Sequence, residues 1–209
     1  MIVLGLTGSI GMGKSMAAKN FWRLGIPVHD ADDIVHELLS EGGEAVEKIK
    51  KLFPVAVKKK SVDRKKIADE IFANPESLAR IERVLHPMVR AREKKFLQQA
   101  AHQGRRLVVL DVPLLFETGG EARCDAVAVV SAPLFLQEQR VLKRPGMTRK
   151  KFNSILARQM PDAEKCRRAS FIVLTGLGRD FGLLQIQNIV RITNGWRETK
   201  WPPGLNLGA

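Results

Sequence analysis

Residues 8–15 read GSIGMGKS and match the pattern G-x-x-x-x-G-K-[ST] of a phosphate-binding loop. The apolar run MIVLGL, residues 1–6, comes directly before this loop and predicts a buried parallel strand. Apolar residues at helical spacing follow over residues 16–24, and Gly25 is expected to end that helix. A glycine turn with a chance Lys-Ser pair is the alternative, but a strand before the loop and a helix after it favour phosphate binding.

Each position of this loop has a physical task. The glycines let the backbone bend, so that successive N–H groups face phosphate oxygens. Lys14 brings a positive charge to the β- and γ-phosphates, Ser15 offers a hydroxyl to Mg²⁺, and the following helix adds the positive end of its dipole. We therefore predict that ATP contacts the chain at Gly11, Met12, Gly13, Lys14, Ser15 and Met16.

Further short apolar runs alternate with helical patterns along the chain. They predict strands over residues 26–29, 107–110, 126–130 and 171–174, and helices over residues 134–142 and 183–192. Such alternation is typical of an α/β fold in which helices cover both faces of a parallel sheet and ligands bind at the carboxyl ends of the strands. We therefore predict the three-layer P-loop NTPase fold.

The predicted organisation has a nucleotide-binding core, a helical insertion, a helical lid and a tail. The insertion is almost wholly helical, with interruptions at Gly42-Gly43, around Lys58 to Lys60 and at His86-Pro87. The lid is strongly basic, and the tail is rich in proline and glycine and is expected to be poorly ordered. The ranges are 1–33, 104–139 and 169–195 for the core, 34–103 for the insertion, 140–168 for the lid and 196–209 for the tail.

A carboxylate ends the strand predicted over residues 107–110. Asp111 stands where P-loop enzymes place an acid beside Mg²⁺ and its water shell, so it is a candidate for the metal site. Asp is also favoured as a helix N-cap, and a cap before Pro113 is the alternative.

Two more carboxylates, Asp30 and Asp32, follow the strand predicted over residues 26–29. In extended backbone, residues two positions apart project to the same side. One of them could accept the proton of a substrate hydroxyl. The alternative is that Asp32 only caps a helix that starts at Ile34.

Composition narrows the class of protein. The 209 residues carry 35 Lys and Arg against 22 Asp and Glu, a net charge of +13 that favours a polyanionic partner. Nucleic acid is not expected, because the chain has no Tyr and shows neither a helix-turn-helix nor a zinc motif.

Cys124 and Cys166 form no metal-binding pattern, which favours a reduced, cytoplasmic setting. No signal peptide, membrane-spanning stretch or internal repeat is predicted, and oligomeric state has no sequence signal here.

Sequence motifs also distinguish the different kinds of P-loop enzyme. GTPases need an N-K-x-D motif and a D-x-x-G switch, and this sequence has neither. A basic lid over a phosphate loop instead favours a small-molecule kinase, in which arginines close over the transferred phosphoryl group.

Six blocks of sequence, in order, resemble the dephospho-CoA kinase family. They are GLTGSIGMGKS (5–15), VHDADDIVHELL (28–39), RVLHPMVR (83–90), VVLDVPLLFE (108–117), QEQRVLKRPGMT (137–148) and ILARQMPDAEKCRRA (155–169). The resemblance implies transfer of the γ-phosphoryl group of ATP, with Mg²⁺, to the ribose 3′-hydroxyl of dephospho-CoA. CoA and ADP are the implied products, in the last step of CoA synthesis.

The resemblance also implies roles for residues of both substrates' sites. The implied catalytic residues are Asp32 as the base, Lys14, and Asp111 with the metal and its waters. The implied contacts to dephospho-CoA come from the helical insertion and from Thr7, Asp30, Asp32, His86 and Arg90. The lid would bring Arg140 and Arg144 to ATP. His86 beside a proline could instead be a helix-breaking surface residue, and the arginines could belong to a solvated face.

Three departures from the family pattern stand near the implied ATP site. Met16 replaces a usual Thr, and Pro145 replaces a usual Asp after the lid arginine. Residues 169–175 read ASFIVLT where the family pattern runs A-D-F-V-I-D-N, near the adenine and the lid. Nucleotide selectivity and rate therefore stay open, as do two alternatives: a kinase for another metabolite, and a degenerate kinase that binds ATP without turnover.

Overall fold

The computed structural model describes residues 1–58, 60–197 and 201. The chain divides into two compact units. The first unit is Met1–His29 with Ala100–Ala209, and the second unit is Asp30–Gln99. Within the described ranges, no helix combines the length and the apolar composition needed to cross a lipid bilayer.

A five-stranded sheet organises the first unit. In chain order its strands are β1 (Ile2–Thr7), β2 (Val28–Asp30), β5 (Leu107–Asp111), β6 (Ala126–Ser131) and β7 (Phe171–Leu174). Their spatial order is β2-β5-β1-β6-β7, and the pairs β1–β5, β1–β6 and β6–β7 are parallel. Every residue of β1 and β5 is buried, as expected of apolar runs in a parallel sheet covered by helices.

The remaining elements of the first unit are helical. They are α1 (Lys14–Arg23), a 3₁₀ turn (Gly120–Arg123), α6 (Leu134–Leu142), α7 (Arg149–Leu156), α8 (Asp162–Arg168) and α9 (Arg179–Thr193). Phe21 of α1 and Ile186 of α9 are fully buried in one cluster with Leu4 and Leu6 of β1. The predicted α/β class with its parallel sheet is thereby confirmed. The last helix starts at Arg179, four residues earlier than predicted.

The second unit is built from α2 (Ala31–Leu39), α3 (Val46–Leu52), a 3₁₀ turn (Pro54–Ala56), β3 (Val57–Lys58), β4 (Ser61–Val62), α4 (Arg64–Ala73) and α5 (Pro75–His102). The chain of α5 continues past Gln99 into the first unit. A separate core gathers Leu38, Ile49, Phe53, Ile81 and Leu85.

The expected interruption of the helical pattern around Lys58 is confirmed, whereas the expected interruption at His86-Pro87 is wrong. The basic stretch around Lys58 lies in a short antiparallel hairpin, β3–β4, and Lys60 takes a left-handed conformation (φ 58°) at its turn. His86-Pro87 does not break α5, which runs through Pro87 for 28 residues. A proline inside a helix costs about 3 kcal/mol, and burial of Leu85 with Met88 and Val89 packed against the same core opposes that cost.

Most of the predicted tail lies outside the described residues, which include only Trp196, Arg197 and Trp201 of it. Trp196 stacks on Phe171 of β7, with 5.6 Å between the ring centroids. This contact holds the chain after α9 against the sheet.

Candidate functional site

The phosphate-binding loop joins β1 to α1, as predicted. Gly11 (φ 78°) and Gly13 (φ 93°) both take left-handed backbone conformations that side chains disfavour. Gly13 is the N-cap of α1 and has no side chain to accept hydrogen bonds from the first helical turn. The Met16 N–H donates to the Gly13 carbonyl at 3.0 Å. The positive end of the helix dipole at this terminus favours an anion in the loop.

Lys14 and Asp111 meet beside this loop. Lys14 Nζ lies 2.5 Å from Asp111 Oδ1, and the side chains are 14% and 0% exposed. They come together because β1 and β5 are parallel neighbours, with Leu6 opposite Asp111. The alternative role of Asp111 as a helix cap before Pro113 is wrong, because Asp111 is the last residue of β5 and turns follow it.

Thr7 and Ser15 lie on either side of the loop. Thr7 is buried, and its hydroxyl donates a hydrogen bond to the Pro113 carbonyl at 3.0 Å, which ties the end of β1 to the segment after β5. Ser15 is exposed in the first turn of α1. A serine hydroxyl and the Asp111 carboxylate are hard oxygen donors, which is the ligand type that Mg²⁺ prefers. The described residues contain no group of three or more His, Cys, Asp or Glu side chains that could hold a metal alone.

Arg140, in the last turn of α6, reaches the loop together with Thr175. Its Nη1 donates to Thr175 Oγ1 at 3.0 Å and lies 3.4 Å from the Gly11 carbonyl oxygen, while Nη2 donates to the Thr175 carbonyl at 2.8 Å. The Thr175 hydroxyl donates to the Met12 carbonyl at 2.5 Å. The altered segment that ends at Thr175 therefore contacts the phosphate loop directly, which sequence patterns could not reveal.

Arg144 is exposed two residues beyond the end of α6, beside Pro145. Its backbone N–H donates to the Val141 carbonyl at 3.0 Å. The structure thus brings Arg140, but not Arg144, into contact with the loop.

A cavity of about 430 Å³ opens beside Gly13. Its wall includes Met16 and Asn20 of α1, Gly176 after β7, and Ile186 of α9. Asn20 is only 4% exposed, and it lines this cavity. An amide on the wall of a cavity can form hydrogen bonds with a molecule bound there. Asn20 was missed from the sequence, although its place on α1 one helical turn after Met16 was a usable signal.

Side chains from the predicted lid and from α6 fix the loop residue Ile10. Its backbone N–H donates to Gln159 Oε1 at 3.0 Å, and its carbonyl accepts from Gln137 Nε2 at 2.8 Å. Neither glutamine was expected, because each meets Ile10 only through the folded chain.

A buried ion pair anchors the same segment, which the sequence predicts to be a lid. Lys165 of α8 is fully buried, and its Nζ lies 2.8 Å from Glu117 Oε1, which also accepts the Met160 N–H at 2.8 Å. Burial alone would raise the pKa of Glu117, but the hydrogen bonds from Lys165 and Met160 outweigh it and lower that pKa from 4.5. Glu117 is therefore ionised at neutral pH and holds two points of the lid segment.

In the second unit, Asp30 is the N-cap of α2. Its Oδ1 accepts the N–H groups of Asp32 at 2.9 Å and of Asp33 at 3.2 Å. The expectation that Asp30 and Asp32 share an extended strand is wrong, since Asp32 already lies in the first turn of α2, and so is the alternative that Asp32 is the cap. Asp32 is exposed there.

His86 and Arg90 are both exposed on α5. They are four residues apart, so they lie on one face of that helix. Arg90 Nη1 is 3.9 Å from Glu93 Oε1. The second-unit residues that were predicted to bind substrate lie either on this face of α5 or at the start of α2.

Comparison with known proteins gives a consistent result. A family model described as dephospho-CoA kinase matches residues 2–177. The dephospho-CoA kinase of Rhodospirillum rubrum is 50% identical over 204 residues, covering 95% of this chain and 97% of that protein. That of Paramagnetospirillum magneticum is 56% identical over 165 residues, covering 79% of this chain and 78% of the relative. Among solved structures, TT1252 from Thermus thermophilus is 34% identical, with a TM-score of 0.79 over 91% of this chain and 96% of that one.

Proposed function

The chain belongs to the dephospho-CoA kinase family, and from that premise we propose that it transfers the γ-phosphoryl group of ATP to the ribose 3′-hydroxyl of dephospho-CoA. The observation that carries the proposal is the contact between Lys14, at the start of α1, and Asp111, at the end of β5, beside a helix start with no side-chain cap. This arrangement suits a bound nucleoside triphosphate, because phosphates and a metal take the place of a direct Lys–Asp contact.

We propose that the phosphates of ATP lie in the loop, against Gly11, Met12, Gly13, Lys14, Ser15 and Met16. Lys14 would leave Asp111 for the β- and γ-phosphates when they bind. The nucleoside would fill the 430 Å³ cavity beside Gly13, where the buried amide of Asn20 can pair with a polar edge of the base or sugar. Arg140 would face the phosphates from α6, and Arg144 would reach them from the lid of residues 140–168.

Mg²⁺ fits the oxygen donors at this site. Ser15 would bind it directly, and Asp111 would hold it through water. When bound, the ion neutralises charge on the β- and γ-phosphates during transfer. Mg²⁺ generally takes few protein ligands and keeps several waters, which agrees with the absence of a cage of acidic side chains in the described residues.

We assign the acceptor side to the insertion of residues 34–103 together with Thr7, Asp30 and Asp32. Asp32 would accept the proton of the 3′-hydroxyl while the oxygen of that hydroxyl bonds to the γ-phosphorus. The bond from that phosphorus to the bridging oxygen breaks, and ADP leaves. Asp30 would support this step by fixing the first turn of α2. His86 and Arg90, on one exposed helix face, would contact the negatively charged dephospho-CoA.

A coupled assay of ADP release tests the proposal, with dephospho-CoA as acceptor and Mg²⁺–ATP as donor. We expect turnover with formation of CoA, identified by mass, and no turnover in the variant Lys14→Ala. Release of ADP with a nucleoside or another metabolite, but none with dephospho-CoA, would reject it. Nucleic acid is expected neither to serve as substrate nor to change the rate.

A further inference from the structure

Thr175 connects three parts of the ATP site, although it stands at a position where the family pattern has Asn. Building on the function proposed above, we propose that Thr175 is a positioning residue: it locks the guanidinium of Arg140 onto the phosphate loop before ATP binds. Thr175 lines the cavity beside Gly13, but it would touch neither the phosphates nor the acceptor. Its effect on ATP would pass through Arg140 and through the shape of the loop.

The hydroxyl of Thr175 works as a relay between Arg140 and the loop. A hydroxyl has one hydrogen to donate and lone pairs to accept with. Here the hydrogen goes to the Met12 carbonyl at 2.5 Å, and a lone pair accepts Arg140 Nη1 at 3.0 Å. Hydrogen bonds in such a chain polarise and strengthen one another. The loop carbonyl and the guanidinium are therefore held by the same oxygen.

The guanidinium is fixed in orientation as well as in position. Nη1 and Nη2 of Arg140 bind the hydroxyl and the carbonyl of the same residue, Thr175. A planar fork bound at two points has little freedom to rotate. Lysine at position 140 would present its donors from one freely rotating nitrogen and would lack this planar fork.

Thr175 can serve as an anchor because the backbone of Thr175 and of the preceding Leu174 is held from both sides. Its N–H donates to the Ser131 carbonyl at 2.9 Å, which continues the pairing of β7 with β6. On the other side, the amide of Gln185 accepts the Leu174 N–H at 3.0 Å and donates to the Leu174 carbonyl at 3.1 Å. The amide of Gln185 thus takes the place of a further strand at this edge of the sheet.

Side-chain packing adds a third contact to the loop. A Cβ built on Gly13 would lie 3.1 Å from Thr175 Cβ and 3.2 Å from its Cγ2, so the two residues are in close contact. Threonine is branched at Cβ and has a restricted χ1 angle. The methyl contact on Gly13 therefore helps to keep the hydroxyl aimed at Met12 and Arg140.

The consequence for ATP is a site that is ordered in advance. An arginine that must be immobilised on binding costs affinity, and an arginine already held does not. Loss of the Thr175 hydroxyl should therefore weaken binding of ATP without altering binding of dephospho-CoA.

Titration calorimetry with Mg²⁺ and the β,γ-imido analogue of ATP, without acceptor, tests this inference. We expect Thr175→Val to raise the Kd about tenfold, the worth of one hydrogen bond to a charged group. Thr175→Ala removes the same hydroxyl and should raise the Kd at least as much, so either folded variant carries the test. Thr175→Ser keeps the hydroxyl and should stay within about twofold of the wild type. The control Thr118→Val makes the same change at an exposed threonine outside the network and should have no effect.

A double-mutant cycle separates positioning from a local packing effect. In the Arg140→Ala background, Thr175→Val should add little, because the group it positions is gone. A full tenfold increase in that background, or a wild-type Kd for Thr175→Val alone, would overturn the inference. Steady-state kinetics should show a raised KM for ATP and an unchanged KM for dephospho-CoA. If the wild type binds the analogue with this pattern but does not phosphorylate dephospho-CoA, the proposed function fails and the role of Thr175 stands.

Discussion

Replacing Glu117 by alanine is expected to destabilise the first unit by about 3–5 kcal/mol, the usual cost of leaving a buried charge without its partner. The charge left behind is the ammonium group of Lys165, which is fully buried 2.8 Å from Glu117 Oε1. The Met160 N–H loses its acceptor in the same step. Lys165→Met should cost less, about 1–2 kcal/mol, because Glu117 keeps the Met160 N–H and 16% of its side chain already reaches solvent.

Urea unfolding followed by tryptophan fluorescence measures this difference. The three tryptophans, Trp22, Trp196 and Trp201, all belong to the first unit, so the signal reports on the unit that holds the ion pair. The double variant Glu117→Leu/Lys165→Met should recover part of the loss of Glu117→Ala, since no charge is left buried. Equal losses for Glu117→Ala and Lys165→Met would refute the reasoning, because the asymmetry follows directly from the burial of Lys165.

The same pair predicts a dependence of stability on pH. The folded protein lowers the pKa of Glu117 from its ordinary value of 4.5, so the unfolded chain binds this proton more readily. The stabilisation by the ionised carboxylate is therefore complete above about pH 4.5 and is lost as the pH falls through the lowered pKa. The gap in unfolding free energy between wild type and Glu117→Gln should shrink over that range. A gap that widens on acidification would contradict the assignment.

Three further predictions concern turnover and nucleotide binding. Lys14→Ala should abolish turnover and weaken binding of the imido analogue of ATP, both measured against wild type; unchanged binding would remove Lys14 from the phosphate site. Asp32→Asn should lower kcat by a factor of about 10² or more with little change in the KM for ATP; a loss of folding or of ATP binding instead would make Asp32 structural. Asn20→Leu should raise the KM for ATP about tenfold by removing a buried hydrogen-bonding partner, whereas the control Lys19→Ala, at an exposed neighbour on the same helix, should leave it unchanged.

Local sequence patterns predicted the elements that are determined by short stretches of the sequence. The phosphate loop, β1 and β5 follow from a glycine pattern and two short apolar runs, and the structure contains all three. The approach of Asp111 to Lys14 was also predictable in kind, because adjacent parallel strands end at one edge of the sheet.

Features that depend on distant parts of the chain could not be predicted. Pro87 reads as a helix break in the sequence, and only the core around Leu85 reveals why α5 continues. A lysine in a basic segment such as Lys165 is expected to be exposed. In the fold it is buried, because it pairs with Glu117, 48 positions earlier. In the sequence, Thr175 only replaces an amide of the family pattern. Its hydrogen bonds to Met12 and Arg140 become visible only in the fold.

Three positions of the segment of residues 169–175 lack a carboxylate or an amide of the family pattern, and they differ in what they touch. Ser170 takes part in strand pairing, with its hydroxyl accepting the Val127 N–H at 3.2 Å and its own N–H donating to the Val127 carbonyl at 2.9 Å. Leu174 is 41% exposed, and Gln185 holds its backbone. Only Thr175 reaches the phosphate loop. The departures from the family pattern therefore do not argue for a kinase that has lost its site. At position 175 the side-chain contact to Arg140 comes from a hydroxyl, beside the backbone contact to the Thr175 carbonyl, and the Thr175 variants measure what this hydroxyl contributes.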